Sequence, residues 1–235
     1  MLTNKTLLII FSLIYVVGLA FLYFSKVRMN NSENRIYKTM IITNIIGLIL
    51  QLCCDYISYR NDILPHIISD VIYRLYMIYF IIFINLMLLY LMTISSKTLK
   101  KTFIIIDTIL CIVEILIVSL SSYELYRDVS NKVYYTFGPA IDLTFIISGI
   151  ICVFMVLILI YNFKKISKKK SIPIYLLIIS GTVSALIQHS NPEILIITSM
   201  ESFICCLMYF TIENPDMKML NEMTLARNQA EKANR

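Results

Sequence analysis

The stretch IIFINLMLLYLM (81–92) would be apolar on every side if it were wound into a helix. It lies inside an apolar run over 68–94, which exceeds the roughly 20 residues that a helix needs to cross a bilayer core of about 30 Å. Hydrophobic residues make up 58% of the 235-residue chain, whose mean hydropathy is +0.77. This is too apolar for a soluble domain, so the stretch predicts a transmembrane helix.

Six further stretches of similar length and character flank this one, at about 6–25, 37–56, 102–121, 140–161, 172–189 and 194–212. The first runs apolar to about Phe24, which is longer than the apolar region of a cleaved signal peptide, so we expect it to remain as a span. Together the seven stretches predict an all-α fold over residues 1–213, a seven-helix transmembrane bundle.

Most of the 21 lysines and arginines fall in alternate gaps between the stretches and in the tail. The gap after the fifth stretch, for example, has five lysines between 164 and 170. Short basic loops stay cytoplasmic, so the pattern predicts an amino terminus outside and a carboxyl terminus inside. We therefore attribute the net charge of +6 to topology and to contact with anionic lipid headgroups, and expect no nucleic-acid partner.

The gaps on the predicted outer side are short, and the largest, SYELYRDVSNKVYYTFGP (122–139), is too short to fold alone. An external ligand would therefore be read by the helices and these loops. Ionisable side chains at membrane depth are costly and usually face the bundle interior or water. Those that converge on the predicted outer half form our candidate ligand-binding set: Asp70, Arg74, Glu114, Asp142, His189 and Glu201.

Two interpretations of this set stay open. Asp70 and Arg74 are four residues apart and share a helix face, so they form either an interfacial ion pair with Arg74 extending outward or part of a pocket for a small polar ligand. Asp55 and Asp142 fit a simple interfacial position, whereas Glu201 is the deepest and favours a functional role.

Asn44, Gln51 and Asn85 are typical of interhelical hydrogen bonding. The tyrosines at helix ends fit an interface belt: Tyr56, Tyr73, Tyr134 and Tyr135.

The chain lacks enzyme signatures. Its only histidines are His66 and His189, it has five glycines and no phosphate-binding loop, and the seventh stretch has no lysine for a retinal Schiff base. The six cysteines fall inside predicted spans, where we expect packing rather than disulfides. A metal site from the pairs Cys53–Cys54 and Cys205–Cys206 is the alternative, but vicinal side chains on a helix diverge by about 100°. We predict no catalytic residue, metal or cofactor.

The tail TIENPDMKMLNEMTLARNQAEKANR (211–235) is polar and helix-prone. Asn214 is a suitable N-cap, Pro215 suits the first helical position, and Asp216 suits the positive end of the helix dipole. Positions spaced four, three, four and three form the seam of a short parallel coiled coil: Met219, Met223, Ala226, Ala230 and Ala233. We therefore predict a cytoplasmic linker helix over 214–235 that supports a homodimer; a solvated juxtamembrane helix is the alternative.

The stretch LARNQAEKANR (225–235) resembles the linker helix that enters the dimerisation and phosphoacceptor domain of bacterial sensor histidine kinases. The bundle and its exit FTIENPDMKM (210–219) look like the seven-helix sensor region of these kinases. In the family such a linker leads to a His-Glu-x-Arg-Thr-Pro motif, and neither histidine of this chain stands in that context.

The resemblance implies a membrane sensor of a two-component phosphorelay in the bacterial cytoplasmic membrane. It would perceive a small ligand or a membrane state and pass the signal through the seventh helix to a kinase domain expected beyond Arg235, and so to a response regulator. The same bundle can precede a diguanylate cyclase domain, which is the first alternative. A small polar-solute transporter and a membrane protein that only mediates interactions are the others.

Overall fold

The computed structural model describes residues 4–25, 31–60, 66–95, 101–128, 133–164, 166, 168–191, 194–212, 223, 227, 229 and 231. Most of them lie in seven helices, which are α1 (Asn4–Phe24), α2 (Ser32–Arg60), α3 (His66–Ser95), α4 (Lys101–Leu120), α5 (Pro139–Tyr161), α6 (Lys168–Ser190) and α7 (Ile197–Ile212). Between α4 and α5 lie two short strands, β1 (Glu124–Asp128) and β2 (Val133–Phe137). The fold is therefore an all-α bundle that carries one hairpin.

Six of these helices, α1 to α6, are long and apolar enough to cross a bilayer. The seventh, α7, is apolar but has only 16 residues, which corresponds to a length of about 24 Å. It is shorter than the predicted stretch because the chain over 194–196 is not helical. Length and composition thus support a multi-pass membrane protein, and α7 contributes a short helix to the bundle.

The central helix of the bundle is α3, which packs against α2, α4, α5 and α6. Half of the most apolar part of α3 is buried inside the protein, whereas only 6% of the corresponding part of α4 is buried. The helix α4 therefore lies at the periphery, with its isoleucines and leucines exposed on the outer surface. On the opposite side of the bundle α7 packs against α1, α2 and α6. The main apolar core is formed by these helices together with α3 and α5.

The hairpin between α4 and α5 was not predicted from the sequence. Its strands are antiparallel, with Tyr126 opposite Tyr135 and their rings stacked at a centroid distance of 4.8 Å. Gly138 turns the chain from β2 into α5 with a φ of 112°, a left-handed conformation that glycine adopts without strain. The backbone N–H of Ala140 then donates to the Ser122 carbonyl at 3.0 Å, which ties the start of α5 to the segment before β1.

The residues that carry the linker prediction lie mostly outside the described part of the chain, namely Asn214, Pro215, Asp216, Met219, Ala226, Ala230 and Ala233. Met223 is described as helical and exposed. Four residues further on, Arg227 donates from Nε to Glu231 at 3.0 Å, a contact that suits a solvated helix face. The coiled-coil seam therefore stays a prediction.

Candidate functional site

Asp70 and Arg74 form the ion pair expected from their spacing on α3. The Arg74 Nε donates to both carboxylate oxygens of Asp70 at 3.0 Å. Its Nη1 donates to the Ser119 carbonyl and, at 3.2 Å, to that of Ser121, so Arg74 also caps the end of α4. Because one guanidinium satisfies a carboxylate and two carbonyls, this pair fastens α4 and the following segment to α3.

Tyr123 completes this arrangement from the segment that leads into the hairpin. The guanidinium carbon of Arg74 lies over its ring, 5.4 Å from the centroid. Burial raises the pKa of the Tyr123 hydroxyl, and so do its hydrogen bond with Asp70 and the negative charge of that carboxylate. The phenol therefore stays protonated at neutral pH and can donate to Asp70.

A cavity of about 350 Å³ opens beside the ion pair, between the start of α3 and the segment before β1. Its wall is formed by His66, Ser69, Asp70, Tyr73, Arg74, Ser122, Tyr123 and Leu125. The side chain of Asp70 is 46% exposed and that of Arg74 is 28% exposed, so both retain accessible polar atoms. The cavity could hold a small polar molecule between a carboxylate, a guanidinium and two phenols.

Glu201 lies apart from this cavity, inside the bundle on α7, and is 6% exposed. One of its carboxylate oxygens accepts a hydrogen bond from the Tyr79 hydroxyl of α3. Asn44 of α2 donates from Nδ2 to the same Tyr79 oxygen at 3.0 Å. The Ser202 hydroxyl of α7 lies 2.8 Å from Asn44 Oδ1 and equally far from the Thr198 carbonyl, so its single proton serves one of the two.

These four side chains, Asn44, Tyr79, Glu201 and Ser202, form what we call the buried polar network. It joins α2, α3 and α7 in the middle of the bundle. A buried carboxylate and a buried amide are stable there because each finds a hydrogen-bond partner. The network therefore fixes how α7 is rotated against its neighbours.

Gly47 of α2 makes room for this network. A methyl group at position 47 would overlap the Tyr79 ring, so the absence of a side chain lets the ring lie against the α2 backbone. The ring then directs its hydroxyl to both Glu201 and Asn44.

A row of tyrosines on α3 connects the cavity with the network. Tyr73 lines the cavity, and its hydroxyl lies 2.6 Å from that of Ser58 on α2. One turn further, the Tyr76 hydroxyl lies 3.0 Å from the Thr198 hydroxyl of α7. Tyr79 follows after three residues, and the rings of Tyr76 and Tyr79 are stacked at 6.2 Å. The two sites therefore lie on the same helix, about two turns apart.

The remaining sequence-predicted residues are not brought into this cavity. Glu114 of α4 accepts a hydrogen bond from the Asn85 amide of α3 at 2.7 Å. Asp142 is exposed in the first turn of α5, and the His189 ring at the end of α6 lies 6.2 Å from that of Phe145. The structure thus places Asp70 and Arg74 together, and Glu201, Glu114, Asp142 and His189 in separate surroundings.

Sequence reasoning assigned no role to Tyr79 or Tyr123. The position of Tyr79 in the middle of a predicted helix was a usable signal of a buried role, because the tyrosines of an interface belt lie at helix ends. The cysteines are free thiols: Cys53, Cys54, Cys111, Cys152, Cys205 and Cys206. Within the described ranges, histidine, cysteine and acidic side chains form no group of three or more that could hold a metal ion.

Comparison of the chain with protein-family models and with curated protein sequences finds no match.

Proposed function

We propose that the chain is the membrane sensor region of a two-component histidine kinase, with seven crossings, the amino terminus outside and the tail in the bacterial cytoplasm. The observation that carries this proposal is the hydrogen bond from Tyr79 to Glu201, because it ties the last helix before the tail to the central helix. In such a sensor α7 delivers the signal to a kinase domain that follows Arg235, and from there to a response regulator.

The geometry suggests how a stimulus would reach α7. A small polar ligand in the cavity would contact Asp70, Arg74 or Tyr73 at one end of α3. A shift of that end moves Tyr76 and Tyr79, whose hydroxyls hold Thr198 and Glu201 of α7. The stimulus then favours one of two arrangements of α7, provided that it binds them with different affinity.

We propose further that the buried polar network has two discrete arrangements. In a membrane a polar group that loses its partner finds no water in its place, so α7 cannot slide gradually past α3. A rotation of α7 has to break the bond to Tyr79 and remake another. A bistable contact of this kind is what a switch requires.

A fusion of residues 1–235 to a histidine kinase core with a reporter tests the proposal without a known ligand. Glu201→Gln and Tyr79→Phe should each shift basal reporter output by about fivefold or more, the usual lower range of allosteric coupling. Glu124→Gln, on exposed β1, is the matched control and should leave output unchanged. Unaltered output from both network variants, at equal amounts of inserted protein, would overturn the proposal.

The codons that follow that of Arg235 test the kind of output directly. A phosphoacceptor helix with His-Glu-x-Arg-Thr-Pro and an ATP-binding domain in frame would support the kinase. A cyclase domain in that frame would replace it with the diguanylate cyclase alternative. Uptake of amino acids or sugars by proteoliposomes that contain the chain would instead favour a transporter.

A further inference from the structure

An apolar crevice of about 290 Å³ opens between the end of α5 and the start of α6, at the end of the bundle opposite the hairpin. Its wall consists of Leu159, Phe163, Ile166, Ser171, Ile172 and Tyr175. An apolar crevice does not hold water well, because water there finds too few polar partners. In a bilayer the natural occupant of such a crevice is a hydrocarbon chain.

The position of the crevice in the membrane agrees with a lipid as its occupant. Tyr161 and Phe163 stand at the end of α5 with 84% and 64% of their surface exposed. Exposed aromatic rings at the end of an apolar helix are typical of the boundary between acyl chains and headgroups. The crevice therefore lies where a lipid would present both its tail and its headgroup.

The charge at this place is positive. Residues 162–172 include five lysines and no acidic residue. Glu33 at the start of α2 contacts this segment, where its carboxylate lies 2.6 Å from Lys170 Nζ. Glu33 balances the charge of Lys170, and the sequence of this segment supplies four further lysines, a charge that complements an anionic headgroup.

We propose that an anionic glycerophospholipid docks here, with an acyl chain in the crevice and its phosphate against Lys164 and Lys170. This site is independent of the proposed sensor function. A phosphate at Lys170 competes with Glu33 for the same ammonium, so the lipid also alters how α6 is held to α2. The contact between these helices then depends on the lipid composition of the membrane.

Native mass spectrometry of the purified chain with phosphatidylglycerol or phosphatidylcholine tests the site. We expect phosphatidylglycerol to be retained preferentially. Lys164→Gln should weaken its retention roughly fivefold, the effect of about 1 kcal/mol for one lysine at the headgroup. Lys101→Gln, at the start of α4, removes the same charge from an exposed position and should have a small effect. An equal loss in both variants would mean diffuse attraction to a basic surface and would overturn the site.

The crevice is tested by Ile172→Trp, which fills it from its rim, where Ile172 is 47% exposed. Ile179→Trp, two turns further along α6 and outside the crevice wall, is the control. We expect only the first to reduce retention of phosphatidylglycerol, with helical circular dichroism unchanged in both. Glycerol phosphate, which has no acyl chain, should fail to compete. Undiminished retention in Ile172→Trp, or displacement by glycerol phosphate, would overturn the proposal.

Discussion

The Tyr79 hydroxyl donates a hydrogen bond to the Glu201 carboxylate and so joins α3 to α7 across 122 positions of the chain. The same oxygen of Tyr79 accepts from the Asn44 amide of α2. One phenol therefore links three helices, and it supplies a donor to a buried carboxylate. Its removal should have consequences for both neighbours at once.

Tyr79→Phe is expected to destabilise the bundle by about 1–3 kcal/mol, because it removes the donor to Glu201 and the acceptor of the Asn44 amide N–H. Denaturant or thermal unfolding of the purified chain in detergent measures this difference. Tyr126→Phe, at an exposed position of the hairpin, is the control and should change little. Equal stabilities of the two variants would contradict a structural role for the Tyr79 hydroxyl.

Gly47→Ala should destabilise the protein by about 1–3 kcal/mol, the usual cost of overpacking, because the added methyl group displaces the Tyr79 ring. The matched control is Gly149→Ala on α5, where a methyl group would meet nothing within 4 Å. That control should be neutral or stabilise by up to about 1 kcal/mol, since alanine favours a helix more than glycine. The same unfolding experiment compares them, and loss of stability in both would refute the explanation from close packing.

Ionisation of Tyr123 should make the free energy of unfolding depend on pH. Burial, followed by the hydrogen bond with Asp70 and the charge of that carboxylate, raises its pKa above the ordinary value of 10.0, so the folded protein holds the proton more tightly than the unfolded chain. Its contribution to stability is therefore complete below about pH 10 and is lost as the pH rises further. The difference in unfolding free energy between the wild type and Tyr123→Phe should be constant from pH 6 to about 9 and shrink above 10. A difference that grows with pH would show the opposite sign and contradict this environment.

The apolar stretches predicted the helices well because a bilayer demands long runs without charge. The stretch 102–121, for example, became α4 over Lys101–Leu120. The seventh was less accurate, because 194–196 are as apolar as the rest and hydropathy alone does not distinguish them from helix. The hairpin was missed because its strands have only five residues each. The tyrosine-rich sequence 122–139 was therefore interpreted as a loop, although aromatic residues favour strands.

A specific pair of partners was predictable only where the two residues are close in sequence, although interhelical hydrogen bonds of Asn44 and Asn85 were expected and are present. Asp70 and Arg74 were paired from their spacing of four on one helix face. Tyr79 and Glu201 belong to helices whose relative rotation is set by packing, so no sequence spacing reports their contact. The role of Arg74 in holding the end of α4 was equally hidden, since backbone carbonyls carry no sequence signal.

Arg74→Lys tests whether the ion pair on α3 acts mainly as a fastening for α4 and the hairpin. Lysine keeps the charge beside Asp70 but lacks the rigid fork that reaches the carboxylate and the carbonyls of Ser119 and Ser121 together. We expect hydrogen exchange at residues 121–128 to accelerate about tenfold or more, since two partly buried carbonyls lose a charged donor. Arg227→Lys in the tail, where the Arg–Glu pair is also four residues apart but 80% and 61% exposed, should not change exchange there. If Arg74→Lys leaves that exchange as slow as in the wild type, the guanidinium does not fasten the hairpin and is free to serve a ligand in the cavity instead.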